Sequence, residues 1–165
     1  MPATYTDGAL HFERRLHHPV DKVWRAVSDP GELAHWFPCS VEVGELRVGA
    51  PLRFVFPDDL APEMEGEVLE HDPPRRLAFR WGEDELRFEL EPDGDGTLLR
   101  FTHVLDSRDK AARDAAGWEV CLATLEQRLA GEPTQQPGTR PSGDWRGFYE
   151  QYERLGFPTG APVPD

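Results

Sequence analysis

His103 is the residue of this 165-residue chain whose type and position best fit acid–base chemistry. It follows Leu99 and Phe101 at alternating positions, which places all three on the apolar side of a predicted strand. There it could hydrogen-bond a ligand or act as a general base, because imidazole exchanges a proton near neutral pH. The competing interpretation, which we favour, is a core histidine whose hydrogen bonds are satisfied inside the protein.

Cys121 lies on the apolar side of a predicted helix and is a candidate nucleophile. A reactive thiol needs a nearby base or a helix N-terminus that lowers its pKa. The sequence around Cys121 offers neither, so it is predicted to be a small core residue.

Metal and phosphate chemistry find little support in the sequence. His17 and His18 are adjacent, so on a strand they point to opposite faces and cannot readily chelate one ion. The Asp-Gly-Asp-Gly stretch at 93–96 lacks the glutamate that completes a calcium loop and is predicted to be a hairpin turn. Residues 83–85, Glu-Asp-Glu, are interpreted as solvated surface. We predict no metal, no cofactor and no phosphate-binding loop.

A group of aromatic residues at strand and helix positions is the strongest functional feature. Aromatic and apolar side chains line most small-molecule cavities, although they also fill ordinary cores. We predict that they contact a ligand together with His103, Cys121 and Leu125. The aromatic members are Trp36, Phe54, Phe56, Phe79, Trp81, Phe88, Phe101 and Trp118.

The elements that position these residues follow from hydrophobic periodicity. One strand over 8–17 precedes two short helices, over 19–28 and from 29 to about 37. Alternating apolar residues and turn signals then predict about six strands up to residue 105. A longer helix, with apolar residues from Ala115 to Leu129, ends at Gly131. The prediction is an α+β fold in which an antiparallel sheet of about seven strands covers the long helix.

The C-terminal part has a different composition. Residues 1–131 are predicted to form the domain, and the Pro- and Gly-containing stretch at 132–143 a linker. Residues 144–165 are predicted to hold an amphipathic helix and a loose tail. Four aromatic residues on one face of that helix must dock on the domain or form a homodimer contact: Trp145, Phe148, Tyr149 and Tyr152.

Composition excludes several classes of partner. The net charge of −13 disfavours nucleic acid and anionic membranes, which attract cationic proteins. No apolar run reaches the roughly 18 residues of a membrane span, and no signal peptide is visible. With only two cysteines, 82 positions apart, the sequence predicts a cytoplasmic protein.

The order of elements and several local motifs resemble the START-like superfamily. Residues 19–24 and 29–37, together with Gly117-Trp118-Glu119 and the leucines at 122, 125 and 129, resemble the branch related to the activator of heat shock protein 90 ATPase. The resemblance covers residues 8–131. It implies a helix-grip fold, in which a curved sheet grips the C-terminal helix and the space between them often holds an apolar ligand.

The sequence is compatible with three functions. The favoured one is binding of a small apolar or aromatic molecule between the sheet and the long helix. A cyclase- or hydrolase-like enzyme that uses His103 in the same cavity is an alternative. A protein-interaction or chaperone-regulating role is the third, because the superfamily hosts many activities on one fold.

Overall fold

The structure, a computed structural model, describes residues 2–57, 61–137 and 143–163. Its helices are α1 (Val20–Ser28), α2 (Pro30–Leu33), α3 (Ala111–Leu129) and α4 (Gly143–Arg154), and a 3₁₀ turn (Arg108–Lys110) precedes α3. The strands are β1 (Thr4–Thr6), β2 (Ala9–Leu16), β3 (Ser40–Glu42), β4 (Pro51–Val55), β5 (Met64–Asp72), β6 (Arg76–Trp81), β7 (Asp84–Asp93) and β8 (Gly96–Val104).

The eight strands form one antiparallel sheet in the order β1-β2-β8-β7-β6-β5-β4-β3. Consecutive strands from β3 to β8 are neighbours. The connection from β2 to β3 carries α1 and α2 to the opposite edge of the sheet. This confirms the predicted α+β helix-grip fold, with one strand more than expected.

The additional strand is β1, which pairs with β2 across the turn at Asp7 and Gly8. Both turn residues have positive φ, 52° and 79°. An Asp-Gly pair adopts this conformation readily, which is why it favours two-residue hairpin turns. The three residues of β1 are too few to show the alternation that predicted the other strands.

The pairing of β5 with β6 is irregular. The register between these strands shifts between Val68 and Glu70, as in a β-bulge. Gly66 lies nearby, and a Cβ atom built there would be only 2.0 Å from the carbonyl oxygen of Arg80. The absence of a side chain at Gly66 therefore allows the two strands to approach at this point.

The long helix α3 buries its apolar face against the sheet. The ring of Trp118 packs edge-on against Phe101 of β8, with 4.7 Å between centroids. Leu122 and Leu125 are each 1 % exposed. Helix and sheet thus share one core, as the apolar stripe of α3 predicts.

Helix α4 packs against α3 of the same chain. Tyr152 is fully buried, and its hydroxyl donates to Glu119 Oε1 (2.6 Å) while it accepts from the backbone N–H of Ala3 (2.8 Å). Trp145 is also buried and lies beside Gly117. Two of the four residues of the predicted dimer contact are therefore covered within the chain, and the homodimer itself stays a prediction.

The segment after α4 is docked, contrary to the expectation of a loose tail. The Pro158 carbonyl accepts from the Ala112 N–H (3.0 Å), and the Ala161 N–H donates to the Asp109 carbonyl (3.2 Å). Of the predicted linker, residues 138–142 lie outside the described residues. None of the helices within the described ranges combines the length and apolar character of a membrane span.

Candidate functional site

His103 is held by two hydrogen bonds inside the core. β8 directs it to the inner face, where it is fully buried. The Trp118 indole Nε1–H donates to His103 Nδ1 (2.8 Å), and His103 Nε2 lies 2.6 Å from Asp84 Oδ2. Because Nδ1 accepts a hydrogen bond, the ring carries its proton on Nε2 and donates it to Asp84. The neighbours of His103 therefore fix its tautomer.

Asp84 is the centre of a buried polar network. Besides His103, its carboxylate accepts from Lys110 Nζ (2.8 and 2.9 Å) and from the Asp106 N–H (3.0 Å). Burial alone would raise the pKa of Asp84, but the hydrogen bonds from His103 and Lys110 outweigh it and lower the pKa well below the usual range. Asp84 is thus an ionised carboxylate with satisfied hydrogen bonds.

Lys110 balances this charge at the start of α3. Its ammonium also lies 2.6 Å from Asp106 Oδ1. Burial lowers the pKa of Lys110, whereas the bonds to Asp106 and Asp84 raise it, and the net direction is upward. A lysine held as a cation in this way is a poor nucleophile.

The interpretation of residues 83–85 as solvated surface is wrong for Asp84, which is only 6 % exposed. Asp84 precedes Leu86 and Phe88 at alternating positions of β7, so its side chain belongs to the inner face. The signal was present in the sequence as this alternation, but the turn-forming composition around Gly82 obscured it.

The network limits what His103 can do chemically. Its Nδ1 lone pair is taken by Trp118, and its Nε2–H points to Asp84, so neither nitrogen can accept a proton from a ligand in this arrangement. The role of His103 as a general base stays a prediction, and it requires a conformation in which Trp118 has moved away.

The positions of these side chains also show whether a metal ion would fit beside Asp84 and His103. Ligand atoms of Asp84, His103 and Asp114 lie within 4.8 Å of one another, close enough for a shared ion. However, a metal needs an unprotonated ring nitrogen, and the one that faces Asp84 carries the proton. The Lys110 ammonium already occupies the cation position beside Asp84. The described residues therefore do not fit a metal here.

An open cavity of about 830 Å³ adjoins this network. It lies where β4 and β6 end and β5 begins, beside the start of α3. Phe56, Met64 and Trp81 supply its apolar surface. The other lining residues are Arg53, Glu63, Glu65, Gly82, Glu83, Asp84, Asp106, Lys110, Arg113 and Asp114.

Of the eleven predicted ligand-contacting residues, Phe56 and Trp81 line this cavity. The others are buried in the core behind it: Trp36, Phe54, Phe79, Phe88, Phe101, His103, Trp118, Cys121 and Leu125. Their aromatic rings contact one another, for example Phe88 and Phe101 at 4.8 Å between centroids. That these nine residues contact a ligand stays a prediction. Sequence reasoning missed Met64 and the charged residues of the cavity.

Trp81 separates the cavity from the core. Its ring contacts Phe56 on one side (6.4 Å between centroids) and Trp118 on the other (5.4 Å). Its indole nitrogen is buried and makes no hydrogen bond of normal geometry within the described residues. Burial raises the pKa of the Cys39 thiol to about 12, and the Trp81 indole acts weakly in the opposite direction.

Cys121 is an unsuitable nucleophile in this structure. It is buried and free, and burial raises the pKa of its thiol far above the ordinary value. Among the described residues, no hydrogen bond or positive charge acts on Cys121 to favour its thiolate. This agrees with its interpretation as a small core residue.

Comparison with known proteins identifies relatives. The sequence profile of the family described as Activator of Hsp90 ATPase homolog 1-like protein matches residues 17–130. No curated protein sequence matches the chain. Among solved structures, CalU16 from Micromonospora echinospora is 25 % identical, with coverage of 93 % of this chain and 89 % of that chain and a TM-score of 0.72.

Two further solved structures are similar. BPP1335 from Bordetella parapertussis is 26 % identical over 93 % of this chain and 89 % of its own, with a TM-score of 0.71. DynU16, a protein in the dynemicin biosynthetic locus, is 28 % identical over 79 % of this chain, with a TM-score of 0.69. The match covers 50 % of the DynU16 chain.

Proposed function

We propose that the chain, which belongs to the family of Activator of Hsp90 ATPase homolog 1-like proteins, binds a small molecule in the cavity beside Trp81. The ligand would have an apolar or aromatic part, since this fold family commonly binds small hydrophobic ligands. The observation that carries the proposal is this cavity and its apolar surface of Phe56, Met64 and Trp81.

The size and composition of the cavity suit such a ligand. Its volume of about 830 Å³ falls within the roughly 300–1,000 Å³ of small-molecule sites. Phe56, Met64 and Trp81 are all partly exposed, so they offer apolar area that a ligand can remove from water. Met64 is also adaptable, since its unbranched chain fits differently shaped ligands.

The core behind the cavity supports this surface. Trp81 rests on Trp118 and on Phe37, whose ring lies 6.1 Å away between centroids. A ring held on its inner side by others loses little side-chain freedom when a ligand binds its outer side, so the ordering term that opposes binding is small. The core aromatic residues that were predicted to contact a ligand thus support the site from its inner side.

Two other functions stay predictions. The cyclase- or hydrolase-like alternative needs a base at the cavity, yet the His103 nitrogens are both engaged. Asp84, which lines the cavity, is held by Lys110. The protein-interaction alternative gains no specific contact surface from the described residues. The free, buried cysteines fit the predicted cytoplasmic location.

The proposal is tested by titrating the protein with 2-naphthylmethanol, an uncharged aromatic probe, and following tryptophan fluorescence. We expect saturable binding. Phe56→Ser and Met64→Gln should each weaken it by about tenfold, the loss of one buried apolar contact. Leu155→Ser is the control, because Leu155 is 53 % exposed and does not line the cavity. Equal affinities for all four proteins would contradict the proposal, as would no binding at all.

A further inference from the structure

We propose that the preferred ligand is an organic cation, an apolar or aromatic molecule that carries an ammonium or similar group. This inference rests on the proposed binding function and adds the charge of the ligand. It follows from the way the charged residues around the cavity are paired and from the aromatic surface beside them.

Three cationic side chains line the cavity within the described part of the chain, and each is paired with a carboxylate. Arg53 forms two hydrogen bonds with Glu63, at 2.7 and 2.9 Å. Lys110 is bound to Asp84 and Asp106. At each of these cations an anionic ligand would compete with a carboxylate that is already bound there.

Arg113, the third cation, is engaged in the same way. Its Nε lies 2.8 Å from Asp114 Oδ1, and its NH1 group donates to the Pro162 carbonyl at 3.2 Å. The docked C-terminal segment therefore helps to hold this guanidinium. Each lining cation within the described ranges thus already has a carboxylate partner.

Carboxylates, by contrast, are in surplus. Among the residues that the structure describes, six carboxylates and three cations line the cavity. Glu65 and Glu83 are exposed and have no ion-pair partner among the residues that the structure describes. Charges of one sign around a cleft concentrate ions of the opposite sign there, and the net charge of −13 acts in the same direction.

The apolar surface of the cavity also suits a cation. Phe56 and Trp81 lie 6.4 Å apart between centroids, and their planes are tilted by 45°. The face of an aromatic ring attracts an ammonium group, most strongly that of tryptophan. An amine attached to an apolar frame would therefore contact the rings and the carboxylates together.

The test compares three probes that share one ring system: 2-naphthylmethylamine, 2-naphthylmethanol and 2-naphthoate, at pH 7 and low salt. The structure predicts that the amine binds at least about tenfold more tightly than the alcohol, and the carboxylate more weakly than either. In 0.5 M NaCl the advantage of the amine should shrink, because salt screens exposed charges.

A charge-matched pair of variants links the effect to the cavity. Glu65→Gln with Glu83→Gln should lower the amine affinity more than the alcohol affinity. The control, Glu126→Gln with Glu153→Gln, makes the same change of net charge on exposed positions of α3 and α4. It should leave most of the amine preference intact, and an equal loss in both variants would overturn the inference.

The outcomes separate the two proposals. If the alcohol binds as tightly as the amine, the inference of a cationic ligand is overturned, while binding in the cavity stands. If none of the three probes binds, the proposed function fails and the inference fails with it.

Discussion

The indole Nε1–H of Trp118 donates a hydrogen bond of 2.8 Å to Nδ1 of His103, and this bond joins α3 to β8 inside the apolar core. Both side chains are buried, so the bond also satisfies two polar atoms that would otherwise be costly to bury. Because the indole N–H must point to Nδ1 of His103, the bond also fixes the rotation of α3 about its axis on the sheet.

The first prediction concerns this bond. Trp118→Phe removes the donor and leaves His103 Nδ1 buried without a partner, which should destabilise the fold by about 2 kcal/mol, including lost packing. Urea unfolding measures the loss. Trp24→Phe is the control, since Trp24 lies partly exposed on α1, and it should cost less than about 1 kcal/mol. In the wild type, ¹⁵N NMR of the ring should show the proton on Nε2. A proton on Nδ1 would contradict the assignment.

The second prediction concerns pH. The pKa of Asp84 is lower in the folded protein than in the unfolded chain, so the folded state binds this proton less tightly. The stabilisation is therefore complete above the unfolded pKa of about 3.9 and is lost as the pH falls towards the folded pKa. Asp84→Asn should remove this part of the pH dependence and destabilise the protein by about 3 kcal/mol at pH 7, because Lys110 loses a buried partner.

Urea unfolding of both proteins from pH 7 to pH 3 measures this effect. The difference in unfolding free energy between wild type and Asp84→Asn should shrink as the pH falls below about 4. A constant difference across that range would show that Asp84 is not an ionised group with a depressed pKa.

The docking of α4 gives a third prediction. Tyr152→Phe removes the hydroxyl that bonds to Glu119 and to the backbone of Ala3, and should cost about 1–2 kcal/mol. The Ala3 amide should exchange its hydrogen faster in this variant. Tyr149→Phe, on the same helix and partly exposed, should change stability by less than about 0.5 kcal/mol. Unchanged exchange at Ala3 would refute the contact.

The fourth prediction compares two glycines, Gly66 and Gly44, which should differ sharply in their tolerance of a methyl group. At Gly66 a Cβ would meet the Arg80 carbonyl oxygen at 2.0 Å and the Phe54 ring at 2.8 Å, whereas at Gly44 nothing lies within 4 Å. Gly66→Ala should lower the unfolding free energy by at least about 2 kcal/mol. Gly44→Ala should be nearly neutral, and similar effects of the two changes would contradict the close approach of β5 and β6.

Most of the fold was predictable because apolar and polar residues alternate in several of its strands. Leu86, Phe88 and Leu90 in β7 show this pattern, and the core contains every one of them. The two failures have physical causes. β1 is too short for periodicity, and the proline-containing segment that ends at Ala161 is held by backbone hydrogen bonds that composition does not reveal.

The candidate site was predictable only in part. Alternation shows that Phe54, Phe79 and Phe101 face inward, but not how completely their side chains fill the space under α3. That depends on the bend of the sheet and the position of α3, which are properties of the whole fold. Asp84 and Lys110 are 26 positions apart, with β7 and β8 between them, so no local sequence pattern reveals their contact.

The most direct test of the proposed site is to follow the indole Nε1–H signals of the five tryptophans by NMR during a titration with 2-naphthylmethylamine. Trp81 lines the cavity, whereas Trp36 is fully buried and donates to the Ala26 carbonyl at 2.8 Å. We predict a saturable shift of the Trp81 signal and a nearly constant Trp36 signal. A large shift of Trp36 with little change at Trp81, or no shift at any tryptophan, would contradict a ligand site beside Trp81.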